Sequence, residues 1–180
     1  MTEETICRTR HLELVRSEEG WEFVRRRKGE SAVAVVAVTN NDEIVLVEQY
    51  RPPVKKNMIE LPAGIIGDTC PGEEPLDAAE RELMEETGYG ASGFIVLKKT
   101  GEAAGLINEP VWLVLATGLT KKGAGGGTDD ENIKVHTVPL KSMTSWLASK
   151  SNEGMLVDIK IYAGLWLAMP WLPATGTRNA

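Results

Sequence analysis

Residues 67–89 read GDTCPGEEPLDAAERELMEETGY. Pro75 suits the first turn of a helix, where its fixed φ is already helical and its missing N–H has no partner to lose. Gly88 suits the left-handed position just past a helix end. A helix is therefore predicted from Pro75 to about Thr87. Leu76, Ala79, Leu83 and Thr87 recur at spacings of 3, 4 and 4, so that face is expected to pack inward. The charge on this helix breaks the local rules. Asp77, Glu80, Glu82, Glu85 and Glu86 stand against the single cation Arg81. Glu85 and Glu86 are i,i+3 and i,i+4 neighbours of Glu82, where like charges repel. They also occupy the last turn, where the helix dipole already presents partial negative charge. Such a violation points to function. Carboxylates so spaced offer several oxygens to a hard divalent cation such as Mg²⁺. The charge pattern by itself favours the plainer reading of an exposed acidic face.

Upstream, residues 32–39 (AVAVVAVT) form a valine-rich run suited to a strand buried on both faces. Asn40-Asn41-Asp42 is a turn, and residues 43–50 (EIVLVEQY) form the partner strand of a hairpin expected at the sheet's centre. Pro52-Pro53 ends it, because proline cannot donate to a ladder. A short strand at 58–61 and a loop to Gly72 follow. Residues 10–16 and 21–27 are extended pieces separated by Ser17-Glu18-Glu19-Gly20. Downstream, strands are expected near 93–99, 110–117 and 132–138, and helices at about 140–149 and 155–168. The tail from Pro170 reads as irregular. This mixture indicates helices packed on a mixed sheet in an α/β domain.

The chain has 180 residues and a net charge of −6, which fits one domain over 1–180. Cys7 and Cys70 form no CxxC pair, as in a reduced cytoplasmic protein. No run of about 18 apolar residues suggests a membrane span, and the acidic start, Met1-Thr2-Glu3-Glu4, is unlike a signal peptide. The acidic balance argues against nucleic acid as a partner. The one basic run, Arg25-Arg26-Arg27-Lys28, reads as a solvated strand end. His11 and His136 stand alone in strand-like segments, and Trp112, Trp146, Trp166 and Trp171 lie in apolar segments that suit packing.

The opening stretch runs Gly67, five residues, Glu73, seven residues, Arg81-Glu82-Leu83, one residue, Glu85-Glu86, one residue, Gly88-Tyr89. At every fixed position it resembles the signature box of the Nudix hydrolases. The resemblance implies an α/β/α sandwich with a mixed sheet and an N-terminal antiparallel strand extension. It also implies hydrolysis of a nucleoside diphosphate linked to another moiety, with Mg²⁺ as cofactor and Mn²⁺ as a substitute. Carried over by position, Glu82, Glu85 and Glu86 are the expected metal carboxylates, with Glu85 also catalytic. Arg81 and Glu73 are the expected supporting ion pair.

Glu48-Gln49-Tyr50-Arg51-Pro52-Pro53 and Glu60-Leu61-Pro62-Ala63-Gly64 are similar to the ADP-ribose pyrophosphatase and nucleotide-sugar branch. That similarity implies a metal contact from the Ala63 carbonyl, phosphate binding by Arg51 and a weaker binding role for Glu60. Guanidinium suits phosphate chemically. Trp21-Glu22-Phe23-Val24-Arg25 resembles the segment that supplies a base-stacking aromatic in this branch, so Trp21 and Glu22 are expected substrate contacts. A homodimer with residues 1–30 exchanged is implied as well. Glu131 best matches the branch's catalytic loop glutamate, with Asp129 and Asp130 as alternatives, and the glycines at 123–127 would let it swing in. Gly105 and Leu106 match a substrate-side loop in which Ala104 replaces the usual proline. That departure bears on the preference for ADP-ribose over a GDP-sugar, a dinucleoside polyphosphate or NADH. A sensor that binds ADP-ribose without cleaving it is a further alternative, disfavoured by the intact glutamates.

Overall fold

The structure, a computed structural model, describes residues 2–29, 31–127 and 132–172. Three antiparallel strands open the chain in sequential order: β1 (Glu3–Arg8), β2 (Leu12–Ser17) and β3 (Glu22–Arg26). The first of these has no counterpart in the sequence reading. All of its residues are exposed, so it carries no alternation to detect.

The main body runs β4 (Ser31–Val38), β5 (Glu43–Arg51), β6 (Lys56–Glu60), β7 (Ala63–Ile66), α1 (Pro75–Thr87), β8 (Tyr89–Gly90), β9 (Gly93–Gly101) and β10 (Pro110–Thr117). It ends with β11 (Thr120–Lys121), β12 (Lys134–Pro139), α2 (Met143–Asn152), β13 (Leu156–Val157) and α3 (Ile159–Ala168). The sheet is mixed and forks in the middle. β4 and β5 form a hairpin, but they pair only at Ala37–Val45 and Val38–Ile44. Beyond that point β4 takes β7 on the same edge, and β5 takes β6. The Pro62 carbonyl sits at the fork and accepts a hydrogen bond from the Val35 N–H at 2.8 Å. Proline leaves no unpaired N–H there. The expected loop from Pro62 to Gly72 is thus corrected, since its first part is strand β7. Four residues that include glycine give too short a pattern to separate from a loop.

β4 is buried on both faces, as its valine run suggests. Ala34, Val36 and Val38 pack with Leu46, Ile59, Leu113 and Ile161 on the side of α2 and α3. Val33, Val35 and Ala37 pack with Ala79, Leu83 and Leu119 on the side of α1. The result is an α/β/α sandwich whose sheet separates one helix from two. Burying each such valine or leucine fully stabilises the fold by about 1.5–3 kcal/mol. α3 lies close on the sheet at Gly164, where a Cβ would come within 2.6 Å of Val36 Cγ2.

Both C-terminal helices begin later than expected. A 3₁₀ turn takes Leu140–Ser142 before α2, and α3 starts only after Asp158, whose carboxylate accepts from the Lys160 N–H at 2.8 Å. Trp112 and Trp146 pack as predicted, against Lys99 and His136. Trp166 and Trp171 do not, being 71% and 52% exposed. Among the described residues no helix is long and apolar enough to cross a membrane.

Candidate active site

The inward face of α1 differs from the sequence reading in an informative way. Ala79, Leu83 and Thr87 are buried, but Leu76 is exposed, and Glu82 and Glu86 are buried with the apolar residues. The helix therefore does not display a simple acidic outer face. Two of its carboxylates are folded in against β7.

Arg81 organises the acids around it. Its Nε donates to Glu73 Oε1 at 2.8 Å and its Nη2 to Glu73 Oε2 at 3.0 Å, a two-pronged pair. Nη1 reaches Glu82 Oε1 at 2.7 Å and Glu85 Oε2 at 3.3 Å, and Nη2 also donates to the Ile65 carbonyl at 3.2 Å. Glu73 further accepts the Gly67 N–H at 3.0 Å, closing the loop back onto the helix. Hydrogen bonding from Arg81 holds the Glu73 carboxyl below the usual carboxylate range. Glu82 moves the other way: burial raises it, against the opposing pull of Arg81.

Gly64 shows how closely β7 and α1 meet. A Cβ there would fall inside 3.0 Å of Glu82 Oε1, Cδ and Oε2 together, with Oε2 at 2.6 Å. The Glu82 carboxylate thus occupies the space a side chain would fill. Beside it, Glu86 Oε2 accepts the Ala63 N–H at 3.0 Å. Glu85 is exposed and is held only by Arg81 among the described contacts.

The C-terminal end of α1 is capped by the glycine-rich segment. The Gly126 N–H donates to the Glu86 carbonyl at 2.8 Å, the Gly127 N–H to Glu85 at 3.1 Å, and Lys121 Nζ to Thr87 at 2.6 Å. These donors satisfy helix-end carbonyls and offset the negative end of the dipole. The glycines are needed for close approach: a Cβ on Gly125 would meet Glu86 O and Thr87 Cα at 2.7 Å, and its φ is +72°. The glycines at 123–127, expected to let Glu131 swing in, dock on the end of α1 from Gly123 to Gly127. Glu131, Asp129 and Asp130 lie outside the described residues.

A pocket of about 540 Å³ opens beside this corner. Ala63, Gly64 and Glu82 form part of its wall, and Arg51 and Glu60 another. Arg51 and the buried Glu60 are paired at 2.7 Å and 2.5 Å, and that hydrogen bonding raises the Arg51 pKa. Sequence reasoning missed Lys160 and Arg26, which also line the pocket. Lys160 Nζ bridges Asp158 at 2.7 Å and Glu102 at 2.5 Å, while Arg26 pairs with Glu109 at 2.6 Å. Nothing in the local sequence marks Lys160, since its place depends on α3 meeting the loop after β9.

Other expected contacts lie outside this pocket within one chain. Trp21 is 61% exposed, and Glu22 pairs with Arg16 at 2.7 Å. Leu106 is exposed, and its carbonyl accepts the Val24 N–H at 2.7 Å. Gly105 borders open space. His136, read as isolated, bonds Glu48 at 2.8 Å across β5 and β12.

The donors around Ala63 are all oxygen, which suits Mg²⁺, and the cradle over Gly64 holds a carboxylate rather than a side chain. Among the described residues, however, no three Asp, Glu, His or Cys side chains converge on one point. Arg81 draws Glu82 and Glu85, and the Ala63 N–H draws Glu86. The chemical set fits a cation, and the side chains must turn toward a shared centre to hold it.

The chain is 43% identical over 120 residues to the methanol dehydrogenase activator of Bacillus methanolicus, covering 66% of this chain and 63% of that protein. It is 36% identical over 124 residues to the ADP-ribose pyrophosphatase of Bacillus subtilis, covering 68% and 65%. The chain thus spans just under two thirds of the length of each of these relatives. A crystal structure of an ADP compounds hydrolase superposes with a TM-score of 0.73 at 26% identity, covering 98% of this chain and 94% of that one. The NUDIX domain profile matches residues 28–156, which include the forked sheet, the Glu73–Arg81 pair and the buried glutamates of α1, and the chain belongs to the NUDIX domain family.

Proposed function

We propose that this protein hydrolyses the diphosphate bond of ADP-ribose or a related nucleoside diphosphate sugar, releasing a nucleoside monophosphate and a sugar phosphate. The observation that carries the reading is the Glu82 carboxylate seated on Gly64 in the wall of a pocket that also presents Arg51. Glu82, Glu85, Glu86 and the Ala63 carbonyl would hold Mg²⁺, or Mn²⁺ in its place. Such an ion polarises phosphoryl oxygens and lowers the pKa of bound water. The protein's own residues do the positioning. The Glu73–Arg81 pair holds the helix carboxylates in place. Arg51 and Lys160 present cationic donors to phosphate oxygens, and the carboxylates now paired with them keep both side chains aligned. Glu131 is assigned to orient or deprotonate the attacking water.

The Bacillus subtilis relative's name supports ADP-ribose as first substrate. Incubation with ADP-ribose and Mg²⁺ should yield AMP and ribose 5-phosphate. Glu86→Gln should lower kcat by at least about 100-fold; wild-type turnover in that variant would sink the ligand assignment. Tight Mg²⁺-dependent binding of ADP-ribose with no AMP released would instead identify a sensor. A panel containing GDP-sugars, dinucleoside polyphosphates and NADH, ranked by kcat/KM, assigns the base and sugar. The protein is further proposed to be a cytoplasmic homodimer in which the partner's N-terminal strands bring Trp21 to the substrate base. A monomer by light scattering at micromolar concentration would refute that arrangement.

A further inference from the structure

The run Arg25–Lys28 reads in sequence as a solvated strand end, but the fold gives it a concave partner. The Arg27 N–H donates to the His11 carbonyl at 3.0 Å. Its Nη1 donates to the carbonyls of Thr9 at 2.9 Å and Arg10 at 3.2 Å. The β1–β2 turn is thereby tied to the end of β3. Arg10, His11, Arg26, Arg27 and Lys28 come to line one cavity of about 370 Å³, with Ile65 and Asp68 completing the wall. That volume falls within the roughly 300–1,000 Å³ range of small-molecule sites.

Four permanent cations face one carboxylate there, in a chain whose net charge is −6. Neighbouring basic residues are already committed. Arg25 is bound by Glu3 at 2.5 Å and Glu13 at 3.1 Å and Arg8 by Glu13 at 2.7 Å, and of the cavity's own cations Arg26 is bound by Glu109 at 2.6 Å and Arg27 Nε lies 4.0 Å from Glu13 Oε1. Asp68 is itself shared with Arg81 at 3.7 Å. Arg10 and Lys28 have no ion-pair partner among the described residues. Arg10 and Lys28 therefore give the cavity positive charge that no carboxylate among the described residues pairs, which favours an anion. It shares Arg26, Ile65 and Asp68 with the larger pocket, so the two adjoin.

We propose that Arg10, His11, Arg27 and Lys28 form a second anion site, outside the glutamate-lined corner, that binds a phosphate group. Guanidinium and ammonium donors suit a phosphate's several oxygens. The phosphate is either free inorganic phosphate or an additional monoester carried by the substrate beyond its diphosphate.

The test uses Arg10→Gln/Lys28→Gln, because both side chains are exposed, whereas Arg27 ties the turn together. Metal-free full-length protein is titrated with inorganic phosphate by calorimetry and by amide NMR, a readout that does not depend on the activity proposed above. Wild type should show one saturable site, with shifts at Arg10, His11 and Lys28. The double variant should bind at least about tenfold more weakly, since two charge-assisted donors are lost. A second arm compares kcat/KM for ADP-ribose and its 2′-phosphorylated form. A wild-type preference for the phosphorylated form that the variant loses assigns the site to substrate. A ratio unchanged by the variant, with phosphate binding weakened, assigns it to free phosphate. Absence of saturable phosphate binding, or binding that the double variant leaves intact, overturns the site.

Discussion

Gly64→Ala tests the central contact most sharply. The backbone of Gly64 is not left-handed, so alanine is compatible with its φ. The new methyl group would instead overlap the Glu82 carboxylate, three of whose atoms lie inside the 3.0 Å that real Cβ atoms essentially never breach. The obstructing group is the end of a flexible side chain, so it can retreat. Retreat draws it off Arg81, now 2.7 Å away, and out of the corner beside Ala63. Clearing the methyl requires a shift of about an ångström, and a misplacement of that size in a catalytic constellation costs about 100-fold in rate. Stability should suffer far less, by about 1 kcal/mol, because no backbone must move. That corresponds to a fall in Tm of roughly 2–4 °C for a domain of this size. The assay is kcat for AMP release at saturating Mg²⁺ and ADP-ribose, beside calorimetric Tm. A second variant, Gly64→Ala/Glu82→Asp, shortens the acid and should recover the lost stability without recovering activity. Gly64→Ala with kcat within threefold of wild type would refute the claim that Glu82 acts from this position.

Gly125→Ala should behave in the opposite way, because its Cβ would strike backbone and its φ is +72°. The left-handed penalty and the lost bonds to Glu85 and Glu86 together cost about 2–4 kcal/mol, lowering Tm by roughly 5–15 °C; an unchanged melting curve would count against docking of the loop. Glu73 is held below its ordinary value of 4.5 by Arg81, so its stabilisation is full above pH 4.5 and is lost as pH falls through the lowered value. Urea unfolding should find Glu73→Gln less stable than wild type at pH 7, with the gap narrowing below pH ~4; a gap that widens on acidification would contradict the pairing. Lys160→Met should raise KM for a nucleoside diphosphate sugar about tenfold with a smaller change in kcat; an unchanged KM would remove Lys160 from the binding surface.

The sequence reading fares best where the physics is local. Pro75 and Gly88 bound α1 because an N1 proline and a left-handed cap are single-residue requirements, and both ends hold. The strands β4, β5, β9, β10 and β12 are legible because long apolar or alternating runs have few other ways to bury themselves. β7, β8, β11 and β13 are short, and their existence rests on hydrogen bonds to strands distant in sequence, while β1 pairs with its neighbour β2 but is exposed throughout. The same limit governs the site. The glutamate spacing on α1 announces a function, but which carboxylates turn inward depends on how β7 meets the helix.

Position along the chain alone determined a helix with too many carboxylates, a doubly buried strand and a box of spaced residues. Those properties belong to single elements, where a period of 2 or 3.6 and a few special residues suffice. Tertiary structure alone decided that Glu82 occupies the space above Gly64, that Lys160 joins the pocket, that glycines 123–127 cap the helix, and that Arg10 meets Lys28. Each of these juxtaposes segments far apart in sequence. Contacts of that kind are set by how whole layers pack against one another, which no local pattern of residues encodes.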